Sequence, residues 1–164
     1  VFWVPHYTSI GFSARAAALA ISTSALTEVV ISVCLIPFID RIQPRFIAVG
    51  GFTLLISALI TTIYASTTGH MFLAAALGGG GIGTGMLLQA QLWPHYFGRL
   101  HIGAIRGIAA PVTLGFSAAG SPATGMIFDA TGSYLPAWWA IVSLLTAGSI
   151  MLLLTPRPST PAPQ

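Results

Sequence analysis

The sequence predicts an all-α fold, a polytopic bundle of membrane-spanning helices, on three observations. Of the 164 residues, 55% are hydrophobic and only 5% are charged, whereas a soluble globular domain carries roughly 25% charged residues. The apolar residues are grouped in runs of about 20, the length that crosses a bilayer as a helix. Short polar connections separate these runs, so we expect consecutive helices to be antiparallel neighbours.

Five runs are long enough to be full transmembrane helices: residues 16–39, 46–66, 71–96, 107–128 and 137–155. Residues 1–8 also begin within an apolar stretch, and we expect them to be the end of a sixth helix in a chain that is a fragment. Residues 1–155 are therefore predicted to form one truncated half-bundle. The proline-rich tail 156–164 cannot sustain a helix, and we expect it to be disordered.

The arginines predict the orientation of the bundle, because connections on the cytoplasmic side of a membrane are enriched in Lys and Arg. The chain has no lysine. Arg41 and Arg45 lie in the first connection, Arg99 and Arg106 in the third, and Arg157 in the tail. Only Arg15 lies on the opposite side. We expect an inner (plasma) membrane protein with a cytoplasmic C-terminus.

An internal repeat relates the two ends of the predicted bundle. An offset of 89 positions aligns Pro5-His6-Tyr7 with Pro94-His95-Tyr96, Ser32 with Ser121, and Asp40 with Asp129. The arginine rule places the members of each pair on opposite sides, so the unit is a three-helix repeat that is inverted across the membrane. Inverted repeats are common in secondary transporters. The alternative, which we favour less, is that so few identities arise by chance.

The stretches Asp40-Arg41-Ile42-Gln43-Pro44-Arg45, Tyr96–Arg99 and 120–134 (GSPATGMIFDATGSY) resemble the second half of a major facilitator superfamily transporter. The resemblance runs from the end of its seventh helix to its twelfth, and is nearest to monocarboxylate and oxalate/formate-type members. It implies alternating access and a further N-terminal six-helix half. Oxalate/formate-type members carry basic residues in the eighth and eleventh helices. Here these spans hold Glu28 and no basic residue, which argues against a dicarboxylate substrate.

Glu28 is the candidate for substrate binding and proton coupling. It lies in the middle of an apolar span, where an ionised carboxylate is costly unless it faces a cavity, finds a partner or holds a proton. Ser24 and Ser32 share its helix face at four-residue spacing. The alternative is a permanently protonated structural glutamate. Gln89 is a weaker candidate for lining the same substrate path.

Charged residues at the span ends are candidates for gating. Asp40 ends the first span where its own helix dipole disfavours an acid, and we expect it to dock on the start of the fourth span near Gly107. The repeat predicts a matching approach of Asp129 to Arg15 on the outer side. The alternative is that both acids are solvated charges in loops, without a gating role. The predicted gating residues are Asp40, Arg41, Arg45, Arg106, Asp129 and Arg15.

The glycine run 78–85 contains a literal G-x-G-x-x-G. A nucleotide-binding reading fails, because no strand precedes the run, no acid follows at the required distance, and no Gly-Lys-Ser/Thr follows. Small residues within membrane helices instead permit close helix contact. A similar stripe at four-residue spacing lies on the fourth span. The residues predicted to pack helices are Gly79, Gly83, Ser117, Ser121 and Gly125.

We expect a secondary active transporter that moves a small organic solute by alternating access, with proton coupling. Its partners would be the lipid bilayer, the N-terminal half and the substrate. We expect no cofactor, no metal site and no enzymatic activity, since no catalytic or metal-ligand spacing is present, and no nucleic-acid partner, since the arginines are dispersed. The alternatives are a non-transporting membrane scaffold or assembly subunit and, less favoured, a membrane-embedded enzyme.

Overall fold

The computed structural model describes residues 13–39, 41–97 and 102–154, with the backbone alone for 91–97, 102, 104–106, 116, 117 and 121. Every regular element in these ranges is helical, in agreement with the predicted all-α class. The helices are α1 Ala14–Leu35, α2 Pro44–Ile63, α3 Thr68–Phe97, α4 Ile102–Thr131 and α5 Leu135–Leu154, with a 3₁₀ helix Ile36–Phe38 after α1.

Local chemistry explains several of the helix ends. Ser13 caps α1, because its hydroxyl oxygen accepts the backbone N–H of Ala16 at 3.2 Å. Pro44 occupies the first position of α2, where a missing N–H costs nothing. Gly132 follows α4 with a φ of 67° and donates its N–H to the Phe128 carbonyl at 2.7 Å. This left-handed residue ends α4, as glycine commonly does.

Four of the described helices are long and apolar enough to cross a membrane, namely 14–38, 44–63, 68–90 and 135–154. The prediction of five full spans is thus confirmed for four of them, and α4 is not among the helices of that kind found in the described residues. Its sequence is rich in Gly, Ala, Ser and Thr and contains Pro111 and Pro122, and several of its side chains lie outside the described residues. The predicted end of a sixth helix, residues 1–8, and the predicted disordered tail, residues 156–164, lie outside the described residues.

The third helix, α3, is the most buried of the four apolar helices. Of the residues in its most apolar window, 56% are buried, against 6% for α1. Ala17 and Ala20 of α1 pack on Met71 and Ala75 near the start of α3. Ile39, after α1, packs with Leu88 near the other end of α3. The two helices therefore run in the same direction.

The second helix packs on α3, and the fifth helix packs on the second. Ile47, near the start of α2, packs against Leu88 of α3, so α2 runs antiparallel to α3. Leu59 of α2 contacts Trp138 and Val142 near the start of α5, so α5 runs antiparallel to α2. The directions thus alternate in the order that short connections predict.

The fourth helix lies at the margin of the bundle. Its large apolar side chains are mostly exposed: Ile108 is 74%, Leu114 68% and Met126 71% accessible. Phe128 stacks on Tyr134 across the connection to α5, with ring centroids 4.3 Å apart. Since so much of the apolar surface of α4 is uncovered, lipid or another protein segment must cover it in a membrane.

Candidate functional site

Two glycines bring α3 into backbone contact with α1. A Cβ atom on Gly79 would collide with the Ser24 carbonyl group, whose carbon would be 2.8 Å away. A Cβ on Gly83 would lie 2.5 Å from the Glu28 carbonyl oxygen and 3.0 Å from the Ser32 hydroxyl. No side chain fits at either position, so the two helices meet through glycine.

The structure therefore places Ser24, Glu28 and Ser32 on the face of α1 that packs against α3. The Ser32 hydroxyl donates a hydrogen bond to the Gly83 carbonyl at 3.2 Å. All three side chains are half-buried. In the described part of the chain, nothing forms a hydrogen bond or ion pair with the Glu28 carboxyl. This polar row (Ser24, Glu28 and Ser32) is the feature nearest to a coupling site.

The opposite side of the glycine run packs on α2. A Cβ on Gly81 would lie 2.6 Å from Leu55 Cγ and 2.9 Å from the Gly51 carbonyl oxygen, while a Cβ on Gly51 would lie 3.1 Å from Thr84 Cγ2. Thr84 is buried, and its hydroxyl donates to the Gly80 carbonyl at 2.8 Å. The sequence reasoning did not single out Gly51 or Thr84. The spacing of Gly78-Gly79-Gly80-Gly81 contained the signal, since neighbours in a helix face different directions.

A cavity of about 490 Å³ lies between α3 and α4. Gln89 and Met86 line it from α3, and Ala109, Ala110 and Thr113 line it from α4. The Thr113 hydroxyl donates its proton to the Ala109 carbonyl at 2.9 Å, so among the described lining residues the Gln89 amide is the side-chain donor that remains available to a ligand. A cavity of this size is in the range of small-molecule sites, roughly 300–1,000 Å³.

Ser24 lines a different and more apolar cavity of about 460 Å³, together with residues of α2, α3 and α5. Glu28 and Ser32 line neither of these two cavities. The structure thus brings the predicted residues of α1 together on one face but does not bring Gln89 into the same cavity with them.

The structure describes only some of the predicted gating residues. Arg41 is exposed, while Arg45 is half-buried with its guanidinium 4.8 Å from the centre of the Phe46 ring. Arg15 and Asp129 are both exposed, and no ion pair joins them. Asp40, which is predicted to dock beside Gly107, lies outside the described residues. The side chain of Arg106 lies outside them as well.

The predicted packing stripe of α4 is also only partly described. The side chains of Ser117 and Ser121 lie outside the described residues. Gly125 is half-buried, but a Cβ placed on it would have no neighbour within 4 Å. In the part of the chain that the structure describes, no group of three or more His, Cys, Asp or Glu residues could hold a metal ion.

No protein-family model matches the sequence, and no curated protein or solved structure matches it either. The helices, the polar row and the cavities are therefore the observations from which a function can be inferred.

Proposed function

We propose that the protein is a secondary active transporter that moves a small organic solute by alternating access and couples the movement to protons. The observation that carries this proposal is Glu28. It is half-buried near the middle of an apolar helix, and no group in the described residues pairs with its carboxyl. An acid in such a place needs water, a substrate or a proton, and each of these three serves coupled transport.

Two further features support the proposal. The cavity between α3 and α4 offers a volume suited to a small solute, and the Gln89 amide and the Thr113 hydroxyl line it. The contact between α1 and α3 passes through the bare backbones of Gly79 and Gly83. Such smooth surfaces suit helices that must rock against each other.

The finer architecture belongs to the same proposal. In it, α4 is a fifth transmembrane helix, residues 1–8 end a sixth, and the six form an inverted three-helix repeat of the major facilitator type. A second, N-terminal half would complete the substrate path. The protein would lie in the inner (plasma) membrane, with the ends of the helices that carry Arg41, Arg45 and Arg106 on the cytoplasmic side.

The Glu28→Gln variant tests the coupling in the intact transporter. Proteoliposomes with an entrapped pH-sensitive dye would be given an outward or inward gradient of L-lactate or of tetraethylammonium. We expect wild-type protein to acidify or alkalinise the lumen with one of these probes and Glu28→Gln to lose this proton movement by at least about a hundredfold, the low end of what one side chain engaged in proton transfer contributes. Ser22→Ala, which removes an exposed hydroxyl of the same helix that lines neither cavity, should keep it.

A non-transporting scaffold or assembly subunit is the second candidate function, and one observation favours it. Glu28 lines neither the Gln89 cavity nor the cavity beside Ser24, as expected of an acid that lies away from any substrate path. Under this alternative, wild-type proteoliposomes move neither probe and Glu28→Gln lowers thermal stability. Proton flux in Glu28→Gln equal to that of wild-type protein would contradict the proposed coupling.

A further inference from the structure

An open apolar groove runs between the C-terminal part of α1 and the first half of α2. Its volume is about 780 Å³, and its walls include Cys34, Phe38, Ile42, Phe46 and Gly50. Phe38 and Phe46 are each about half exposed, at 51% and 49%. Both helices are apolar enough to span a membrane, so the occupant of this groove is to be sought among molecules dissolved in hydrocarbon.

Two arginines adjoin residues that line this groove. Arg41 lies between the lining residues Phe38 and Ile42 and donates its backbone N–H to the Phe38 carbonyl at 3.0 Å. Arg45 rests its guanidinium on the ring of Phe46, which forms part of the wall. Among the described residues, no acid forms an ion pair with either arginine, and the buried Nε of Arg45 has no hydrogen-bond partner.

The apolar groove thus has the ring of Phe46, with the Arg45 guanidinium over it, in its wall, and Arg41 next to its lining residue Ile42 in the chain. An anionic phospholipid has the complementary form, because its acyl chains are apolar and its phosphate carries the negative charge. Basic pockets between membrane helices bind anionic headgroups, and polybasic segments next to a membrane attract anionic lipids. A zwitterionic lipid lacks the net charge, and a free anion leaves the apolar walls uncovered.

We propose that the groove between α1 and α2 binds an anionic phospholipid, with an acyl chain along Cys34, Phe46 and Gly50 and the phosphate on Arg41 and Arg45. This site requires that the helices lie in a bilayer, but it does not depend on transport. Through this site, the lipid composition of the membrane would act on the segment between α1 and α2.

Cys34, the one cysteine of the chain, reports on occupancy because it lines the groove and is exposed. The protein in dodecylmaltoside would be incubated with dioleoyl-phosphatidylglycerol or with the same amount of dioleoyl-phosphatidylcholine. N-ethylmaleimide would then be added, and the rate of alkylation followed by intact mass. We expect phosphatidylglycerol to slow the alkylation by about fivefold for each arginine that holds the phosphate, relative to phosphatidylcholine.

Substitutions separate charge from shape. In Arg41→Gln/Arg45→Gln the two lipids should give equal rates, and Arg41→Lys/Arg45→Lys should restore most of the difference. Gly50→Leu places a side chain in the groove, where a Cβ meets nothing within 4 Å, and should remove the dependence on lipid. Gly85→Leu, at an equally open glycine that does not line the groove, should behave as wild type. Circular dichroism would verify that each variant is helical.

Equal alkylation rates in the two lipids for the wild-type protein would overturn the proposal, as would a preserved difference in Arg41→Gln/Arg45→Gln. Inorganic phosphate should not protect Cys34. If it protects as well as phosphatidylglycerol, the arginines bind a free anion and the lipid site is wrong. A reporter at Leu144→Cys in a Cys34→Ser background, on the exposed surface of α5, should show no preference between the lipids.

Discussion

At the scale of single residues, the contact between α1 and α3 depends on two glycines that have no side chain. Gly79 and Gly83 present only hydrogen toward the carbonyl groups of Ser24 and Glu28. The Ser32 hydroxyl adds a hydrogen bond to the same place, and interhelical hydrogen bonds of this kind in membranes are worth about 0.6 kcal/mol on average. Close backbone packing, rather than this bond, is therefore the main stabilising contribution at this contact.

The variant Gly79→Ala tests this packing. Its methyl group would overlap the Ser24 carbonyl, and because backbone atoms would have to move, we expect the free energy of unfolding to fall by about 1–3 kcal/mol. The control is Gly85→Ala in the same helix, where a Cβ meets nothing within 4 Å. It should be neutral or slightly stabilising, since alanine favours a helix over glycine by about 1 kcal/mol. Thermal unfolding in detergent would compare them, and equal stability of the two variants would contradict the close contact.

Part of this contact could be foreseen from the sequence. Ser24, Glu28 and Ser32 recur every four residues, as do Gly79 and Gly83, and such rows share a helix face. The sequence could not tell which partner each row would meet, because the rotation of a helix about its axis is decided by packing with all its neighbours. Gly81, two residues from Gly79 and Gly83, accordingly packs on α2 instead of α1.

At the scale of elements, α4 differs from the other helices. Two prolines interrupt its hydrogen bonding, and it meets α3 around a cavity rather than along a packed seam. The sequence located this helix, with the structure extending it from the predicted 107–128 to 102–131. It could not show the cavity, because a gap between helices depends on their separation and not on the residues of either one.

The Ala110→Phe variant tests the use of this cavity within the proposed transport. Ala110 lines the cavity, and a phenyl ring there would occupy space next to Gln89. We expect uptake of the transported probe to fall at least about tenfold, as expected when misplacement or blockage weakens substrate positioning. Ala118→Phe, an equally exposed position of α4 that does not line the cavity, should transport normally. Unimpaired uptake by Ala110→Phe would exclude this cavity from the substrate path.

At the scale of the whole molecule, the contacts fix the directions of the helices relative to one another. The helices α1 and α3 are parallel, α2 is antiparallel to both, and α5 is antiparallel to α2. The connections after α1 and α3 therefore lie at one end of the bundle. The connection between α2 and α3 lies at the other end. Short connections made this alternation predictable. Which end faces the cytoplasm is a property of the bundle in its membrane, and there the arginine distribution is the guide.

Labelling of single cysteines tests this orientation. In a Cys34→Ser background, a membrane-impermeant maleimide would be added to intact cells that carry Gln43→Cys, Gly103→Cys, Thr67→Cys or Ser133→Cys. The arginine rule predicts that Thr67→Cys and Ser133→Cys react from outside, whereas Gln43→Cys and Gly103→Cys react only after the cells are permeabilised. The reverse pattern would place the arginines outside and refute the proposed orientation. Reaction of Gln43→Cys and Thr67→Cys from the same side would go further, because α2 joins these two positions and could then not cross the membrane.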